Sequence, residues 1–266
     1  MKRTLMLCAF LSAISTAAQQ PPAPVPPAHT ANNCVDLPSL EKKVEELNDR
    51  LKDWAQLARY RDANTGVRPA AKGEARVVFM GDSITDMWQY PEFGGFFPGK
   101  PYIDRGIGGQ TTAQMLLRFR PDVLALEPRV VVILAGTNDI AGNTGPMTVE
   151  ETEGNLASMS ELAHAHGVRV VLASLTPVGD LSTAEGKKVQ TARRPPEKIF
   201  ALNEWIKKYA GDHGDVYLDY FRAMSDDRGM LKPALTGDGL HPNAAGYTVM
   251  TPLAEKAIRQ ALAQTP

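Results

Sequence analysis

Stretches rich in Val, Ile and Leu alternate along the chain with longer segments in which apolar and polar residues are mixed. The β-branched apolar stretches are RVVFM (76–80), PYIDRGI (101–107), RVVVILA (129–135), VRVVLASL (168–175) and DVYLDY (215–220). Apolar runs with so few interruptions are typical of strands that are buried on both faces, as in parallel sheets. The pattern therefore predicts a parallel sheet of five strands.

Helix-like segments follow these runs, at 111–126, 148–166, 196–210 and 243–263. Thr148 with Glu151 has the spacing of a capping box, and Pro195 suits the first turn of the third segment. Strands that alternate with helices at this spacing are connected by right-handed crossovers. The fold class is therefore predicted as α/β, with three α/β/α layers and a flavodoxin-like parallel sheet.

The N-terminal residues differ in character from the rest of the chain. Residues 1–18 combine a short basic start, the apolar stretch LMLCAFLSAI and the small residues STAA, which is the pattern of a secretory signal peptide. Residues 19–35 are rich in proline, and they are interpreted as an extended linker. We expect a secreted protein, periplasmic or extracellular, without stable insertion in a membrane.

Residues 36–65 are predicted to form an amphipathic helix ahead of the main domain. Between residues 37 and 58 its apolar positions recur at alternating spacings of three and four: Leu37, Leu40, Val44, Leu47, Leu51, Trp54 and Ala58. A heptad stripe of this kind favours either packing against the main domain or a coiled coil between two copies. The second alternative predicts a homo-oligomer formed through residues 36–62.

Polar, glycine-rich segments follow the predicted strands. GDSIT (81–85) follows the first strand, GIGGQTT (106–112) the second and GTNDIAG (136–142) the third, while TGDGLHPNAAG (236–246) precedes the last helix. In open parallel sheets, ligands bind beyond the carboxyl ends of the strands. We therefore expect these four segments to meet at one edge of the sheet and to form the active site.

The residues in these segments suit acyl transfer. Ser83 can act as the nucleophile, and His241 can act as its base because imidazole titrates near neutral pH. Asp238 lies on the same loop as His241 and can orient the imidazole as the third member of a triad. Asp219, at the end of the fifth predicted strand, is the alternative acid.

An oxyanion also needs hydrogen-bond donors. The backbone amide of Ser83, an amide of the Gly108–Gly109 turn and the side-chain amide of Asn138 are the candidates, since glycine allows close approach of the backbone. Candidates for the substrate pocket are Gly108, Asp139 and Trp88. Asp139 has a bracing role as its alternative. Trp88 and the aromatic residues after it form either a wall of the pocket or an apolar cover of the sheet.

Together, GDSIT (81–85), RGIGGQTT (105–112), GTND (136–139) and DGLHP (238–242) resemble the SGNH, or GDSL-type, hydrolase family over residues 74–263. The second segment is most similar to the branches that resemble platelet-activating-factor acetylhydrolase and the carbohydrate acetylesterases. The resemblance implies a catalytic triad of Ser83, Asp238 and His241, with Ser83, Gly109 and Asn138 as the oxyanion donors. It also implies that no metal or cofactor is needed. Arg105 departs from the small or amide residue of some branches.

The predicted function is a serine esterase that removes short acyl groups, in particular acetyl, from a small molecule or a carbohydrate. A lipase, lysophospholipase or thioesterase for longer acyl chains is the alternative on the same fold. A non-catalytic carbohydrate-binding protein is less consistent with the intact set of Ser83, Asp238 and His241. A nucleotide-binding domain is less consistent because no phosphate-binding lysine accompanies GIGGQTT. The formal net charge of −1 gives no indication of a nucleic-acid partner.

Residues 177–195 are predicted to form a long polar loop, of the kind that often covers a site.

Overall fold

The computed structural model describes residues 36–183 and 186–264. The predicted signal peptide (1–18) and the proline-rich linker (19–35) lie outside these residues. The strands are β1 (Val77–Gly81), β2 (Tyr102–Gly106), β3 (Val130–Leu134), β4 (Arg169–Ala173), β5 (Asp180–Thr183), β6 (Gly186–Val189) and β7 (Val216–Leu218). The helices are α1 (Leu37–Lys52), α2 (Arg61–Thr65), α3 (Ser83–Asp86), α4 (Thr112–Asp122), α5 (Thr137–Ile140), α6 (Val149–Ala165), α7 (Pro196–His213), α8 (Tyr220–Met224) and α9 (Ala244–Ala263).

The five predicted strands form one parallel sheet in the order β2-β1-β3-β4-β7. Every residue of β1 and β3 is buried, as expected for strands that are covered on both faces. Helices α4, α6 and α7 pack on one face of the sheet, and α9 packs on the other. The predicted three-layer α/β/α fold is confirmed, and α6 begins with the predicted capping box of Thr148 and Glu151.

The predicted helix over residues 36–65 is wrong in its length, because α1 ends at Lys52 and a separate short helix, α2, follows a turn. The Asp53 carboxylate accepts hydrogen bonds from the amides of Leu57 and Ala58, at 2.7 and 2.9 Å, and this closes the turn. The carbonyls of Trp54 and Ala55, which would accept intrahelical bonds in a longer helix, accept instead from two glutamine side chains, Gln114 and Gln110. The heptad pattern continues past the residues that are helical.

Residues 53–65 are attached to the end of strand β2. The Tyr60 hydroxyl donates to the carbonyl of Gly106, and the Arg105 guanidinium lies 4.7 Å from the centre of the Tyr60 ring. Arg105 also donates from Nε to Asn64 Oδ1 at 2.9 Å. Arg105, the residue that departs from the pattern of some branches, therefore contacts residues 53–65 through Tyr60 and Asn64.

The apolar stripe on the C-terminal half of α1 is exposed, with Leu47 at 49% and Leu51 at 73% of their full accessibility. At these two positions the predicted packing against the main domain is absent. No helix in the part of the chain that the structure describes is both long and apolar enough to span a membrane.

The predicted polar loop at 177–195 contains an antiparallel hairpin, formed by β5 and β6. The Asp180 carboxylate closes it by accepting from the amides of Gln190 and Thr191, at 2.8 and 3.1 Å. Both strands are short and mostly exposed, so they lack the apolar alternation by which strands are recognised in a sequence. We call residues 177–195 the arm.

Candidate active site

The loops that follow β1, β2 and β3 begin side by side. In the sheet register, Gly81 at the end of β1 pairs with Gly106 on one side and with Leu134 on the other. The polar segments that start at these three residues therefore leave the sheet at the same edge. The loop before α9, residues 236–242, reaches the same place, since its His241 contacts Ser83.

Ser83 is the first residue of α3, directly after the buried strand β1. The side chain of Asp82 caps this short helix by accepting from the Ile84 amide at 2.9 Å. Ser83 is half-buried, and its Oγ lies 3.0 Å from His241 Nε2. This distance allows a proton to pass from the hydroxyl to the imidazole.

Asp238 holds the other side of the imidazole. Its Oδ2 lies 2.6 Å from His241 Nδ1, while its Oδ1 accepts from the amides of Leu240 and His241, at 2.9 and 2.8 Å. Burial alone would raise the pKa of Asp238, but these hydrogen bonds hold it well below its usual range. The carboxylate is therefore ionised at neutral pH, and it can orient an imidazole and stabilise its charged form.

Asp219, the alternative acid, is not part of this arrangement. It is the N-cap of α8, where its Oδ1 accepts from the Arg222 amide at 2.9 Å.

Two of the candidate oxyanion donors are backbone amides, those of Ser83 and Gly109. Within the described residues, neither the amide of Ser83 nor that of Gly109 has a hydrogen-bond partner. The amide of Gly108, in contrast, donates to Asp86 Oδ2 at 3.2 Å. Gly109 has φ +79, a left-handed conformation that glycine adopts without strain. The geometry thus favours Gly109 over Gly108 as a donor, and it places Gly108 against the serine, since a Cβ there would lie 3.8 Å from Ser83 Cβ.

Asn138 lies in helix α5, and both ends of its side-chain amide are engaged. Its Nδ2 donates to the carbonyl of Gln110 at 3.1 Å and to Asp82 Oδ2 at 3.2 Å, and its Oδ1 accepts from Arg194 Nη2 at 3.2 Å. The nitrogen therefore lies between the residue that precedes Ser83 and the residue that follows Gly109. To donate to an oxyanion it has to share one of its two hydrogens, both of which make long bonds.

Asp82 differs from Asp238 in its surroundings, although it also lies beside the catalytic candidates. It is buried, and this burial raises its pKa to about 6, while the hydrogen bond from Ile84 and the charges of His241 and Arg194 oppose the rise.

Two of the predicted pocket residues, Asp139 and Trp88, are buried. Asp139 is buried and accepts from the amide and hydroxyl of Thr112, so it holds the start of α4 as in the alternative interpretation. Trp88 is only 2% exposed, and its ring packs against a group of aromatic residues: Phe79, Phe96, Phe97 and Tyr247. Asp139 and Trp88 therefore have the contacts of the alternative interpretations, a brace at the start of α4 and an apolar cover of the sheet, and their place in the substrate pocket stays a prediction.

The motifs do not include the residues of the arm that reach the site. Gln190 donates from Nε2 to the carbonyl of Asp238 at 3.0 Å, and Arg194 contacts Asn138. The only sequence signal was the position of a polar stretch after the fourth strand, which does not specify individual contacts.

Within the described residues, no group of three or more His, Cys, Asp or Glu side chains has the arrangement of a metal site.

Comparison with known proteins agrees with this geometry. Residues 79–249 match the model of the GDSL-like lipase/acylhydrolase family. The structure superimposes on a Bacteroides fragilis protein assigned as an acylhydrolase, with a TM-score of 0.71 and 43% identity, over 79% of this chain and 98% of the other.

Two curated relatives are also similar in sequence. An acetylxylan esterase from Geobacillus stearothermophilus is 24% identical over 66% of this chain and 90% of its own length. The lipoprotein YqeF of Bacillus subtilis is 35% identical over 29% of this chain, and the chain spans 32% of that relative's length. With a family model that covers most of the sheet and all four site loops, the chain belongs to the GDSL-like lipase/acylhydrolase family and is a carboxylic ester hydrolase.

Proposed function

We propose that the protein is a secreted serine esterase that removes short acyl groups, most notably acetyl, through Ser83, His241 and Asp238. The observation that carries this proposal is the continuous chain of contacts from Ser83 Oγ to His241 Nε2, at 3.0 Å, and from His241 Nδ1 to Asp238 Oδ2, at 2.6 Å. A serine becomes a nucleophile when an oriented base accepts its proton, and this chain supplies both the base and its orienting group.

In the first half of the reaction, Ser83 Oγ forms a bond to the carbonyl carbon while its proton moves to His241 Nε2. The carbonyl oxygen becomes an oxyanion, which the amides of Ser83 and Gly109 stabilise together with the side chain of Asn138. The intermediate then collapses: the ester C–O bond breaks, and His241 gives its proton to the departing alcohol. Asp238 remains ionised throughout and stabilises the imidazolium.

In the second half, a water molecule attacks the acyl group on Ser83, with His241 again accepting the proton. The bond between Ser83 Oγ and the acyl carbon breaks, the carboxylic acid leaves, and the proton returns to Ser83. Support for the oxyanion site comes from the amides of Ser83 and Gly109, which have no partner among the described residues, because donors that are oriented before the reaction need no rearrangement when charge develops.

The acetyl preference is supported by the similarity to an acetylxylan esterase, and its carbohydrate substrate is proposed here for the same reason. A lipase or thioesterase would differ in the depth of its acyl pocket. The rates on p-nitrophenyl esters from acetate to octanoate separate the two functions. We expect kcat/KM to be highest for acetate, and a steady rise toward octanoate would favour the alternative.

The test of the triad compares Ser83→Ala with Ser158→Ala, a control serine on the exposed side of α6. We expect Ser83→Ala to lower kcat on p-nitrophenyl acetate by at least about 1,000-fold, since loss of the nucleophile leaves only binding and oxyanion stabilisation. Ser158→Ala should retain the wild-type rate. A Ser83→Ala variant that is folded and hydrolyses the ester normally would overturn the proposal.

Export is proposed from the pattern of residues 1–18, and similarity to a bacterial lipoprotein is consistent with it. Expression of the full chain in a bacterial host, followed by cell fractionation and mass measurement, tests this. We expect a product shortened by about 18 residues outside the cytoplasm. A full-length product that stays in the cytoplasm would contradict export.

Self-association through α1 stays a prediction, supported by the exposed side chains of Leu47 and Leu51. Sedimentation of the wild type and of a Leu47→Glu, Leu51→Glu variant at several concentrations tests it. A dimer that the double substitution converts to a monomer supports the coiled coil, and a wild type that is monomeric at every concentration contradicts it.

A further inference from the structure

Arg194 is a nearly buried arginine, 5% exposed, at the end of the arm and just before α7. Its Nη2 donates to Asn138 Oδ1 at 3.2 Å, and its Nη1 donates to Gln190 Oε1 at 3.2 Å. Burying a guanidinium is costly unless its charge and its donors are compensated. A position of this kind, in direct contact with a candidate oxyanion donor, calls for a functional explanation.

The contact with Arg194 fixes which way the Asn138 amide faces. A guanidinium has donors and no acceptors, so only the oxygen of the amide can face it. On the opposite side, the nitrogen faces two oxygen acceptors, Gln110 O and Asp82 Oδ2. A flipped amide would place NH2 against the guanidinium and its oxygen against these two acceptors. Arg194 and the two acceptors therefore hold one orientation together.

The arm also holds the loop that carries His241. Gln190, which accepts from Arg194, donates in turn to the carbonyl of Asp238 at 3.0 Å. Nearby, the Gly179 amide donates to the carbonyl of Gly239 at 2.8 Å. Gly239 has φ +83, and a Cβ there would lie 2.0 Å from Gly179 O, so this close approach requires glycine. The chain of contacts Asn138–Arg194–Gln190–Asp238 thus connects the oxyanion side of the site to the base side.

The charge of Arg194 adds to this effect. Burial and the neighbouring Arg193 lower the pKa of the Arg194 guanidinium, whereas the carboxylates of Asp82 and Asp238 raise it. A cation that binds the amide oxygen polarises the amide and makes its NH2 a stronger donor.

We propose that Arg194 is a positioning residue for ester hydrolysis, which acts by orienting and polarising the Asn138 amide and by connecting it, through Gln190, to the Asp238 loop. This inference rests on the proposed role of Asn138 as an oxyanion donor. It assigns a role in the reaction to the arm, which carries none of the family motifs.

The test is a double-mutant cycle on the full chain, with Arg194→Ala, Asn138→Ala and the double variant assayed on p-nitrophenyl acetate. We expect Arg194→Ala to lower kcat by about 10- to 100-fold, part of the effect of losing one oxyanion donor, and to leave KM within about twofold. In the Asn138→Ala background the same substitution should lower kcat by less than about threefold, because the residue on which it acts is already gone.

The matched control is Arg76→Ala. Arg76 is also nearly buried, 3% exposed, but it lies just before β1, at the opposite end of the sheet, where it donates to the carbonyls of Leu126 and Arg68. We expect this substitution to lower the melting temperature without changing kcat. A second readout is rescue: free guanidinium at non-denaturing concentration should raise kcat of Arg194→Ala and leave Arg76→Ala unchanged. If Arg194→Ala does not fold, Arg194→Lys and Gln190→Ala replace it in the cycle.

The outcomes separate the proposals. A folded Arg194 variant with kcat within twofold of wild type overturns the positioning role, and so do losses that multiply in the double variant. If Ser83→Ala is inactive but Asn138→Ala is fully active, the triad stands and both the Asn138 donor and the Arg194 role fail. If Ser83→Ala is itself active, the proposed function fails first.

Discussion

The loop that carries Ser83 and the loop that carries His241 share a local motif but differ in their electrostatics. In each loop an aspartate accepts a hydrogen bond from the amide two residues later: Asp82 from Ile84 and Asp238 from Leu240, both at 2.9 Å. Asp82 is buried and its pKa is raised to about 6, whereas Asp238 is partly exposed and its pKa lies well below the usual range. The same type of turn therefore holds a carboxyl that resists ionisation, Asp82, in one loop and a carboxylate that stays ionised at neutral pH, Asp238, in the other.

The difference comes from the number of donors and from access to water. Asp238 has two backbone amides and the imidazole of His241 as partners, and solvent reaches it. Asp82 has one backbone amide and the side chain of Asn138. Donors and solvent stabilise the charged form, and burial destabilises it. Because an imidazolium needs a permanent anion beside it, only Asp238 suits the role of triad acid.

The largest expected effect is that of Asp238→Asn. The substitution keeps the shape of the side chain but removes the charge beside His241 Nδ1, so we expect kcat to fall by about 10,000-fold. Asp219→Asn is the control, and it should retain activity within about twofold. Initial rates on p-nitrophenyl acetate measure both. Inactive Asp219→Asn together with active Asp238→Asn would reverse our assignment of the acid.

A second prediction concerns the pH dependence of stability. The pKa of Asp82 is raised on folding, so its contribution is present below the unfolded value of roughly 4 and is lost as the pH rises through about 6. The free energy of unfolding of the wild type minus that of Asp82→Asn should therefore fall between pH 4 and 7, by of order 2–3 kcal/mol. Urea titrations at several pH values measure this difference.

For Asp238 the sign is opposite. Its pKa is lowered on folding, so its contribution is present above the unfolded value and is lost as the pH falls below roughly 4. The free energy of unfolding of the wild type minus that of Asp238→Asn should stay constant from pH 5 to 8 and shrink in more acidic solution. Parallel curves for the two variants would contradict the contrast between the two loops.

The smallest expected effect is that of Thr236→Val. The Thr236 hydroxyl donates to the carbonyl of His241 at 2.7 Å and accepts from the Gly239 amide at 3.0 Å, so it braces the loop. Its Oγ1 also lies 3.4 Å from Asp238 Oδ1, the carboxylate oxygen that does not face the imidazole. We expect a loss of about 1–2 kcal/mol of stability and only a few-fold lower kcat. Thr248→Val, on the exposed face of α9, should change neither. A loss of kcat as large as that of Asp238→Asn would show that the loop depends on this hydroxyl.

The sheet and the positions of the main site residues could be predicted from sequence because they follow from local patterns. Strands buried on both faces are continuous apolar runs, and parallel strands bring the segments after them to one edge. The position of Asp238 three residues before His241 on one loop made it a better candidate acid than Asp219. The family resemblance implied Gly109 rather than Gly108 as the donor. Within residues 36–183 and 186–264 the Gly109 amide has no partner, whereas the Gly108 amide donates to Asp86.

The remaining features depend on contacts between distant residues. The heptad pattern gave no indication of where α1 ends. The side chains of Gln110 and Gln114 donate to the carbonyls of Ala55 and Trp54, which would have accepted helical hydrogen bonds if α1 had continued. Trp88 is adjacent to the serine loop in sequence, yet its ring faces the aromatic cluster against the sheet. Arg194 follows Asn138 by more than fifty residues, and only the folded arm brings them together.

The account as a whole depends on Ser83 as the residue that becomes acylated. Its most direct test is treatment of the folded protein with a serine-reactive phosphonate, followed by intact-mass and peptide-mass measurement. We predict a single adduct on the peptide that contains Ser83, formed quickly by the wild type, much more slowly by Asp238→Asn, and not by Ser83→Ala. An active enzyme that carries no adduct on Ser83, or carries its adduct on another residue, would contradict the account.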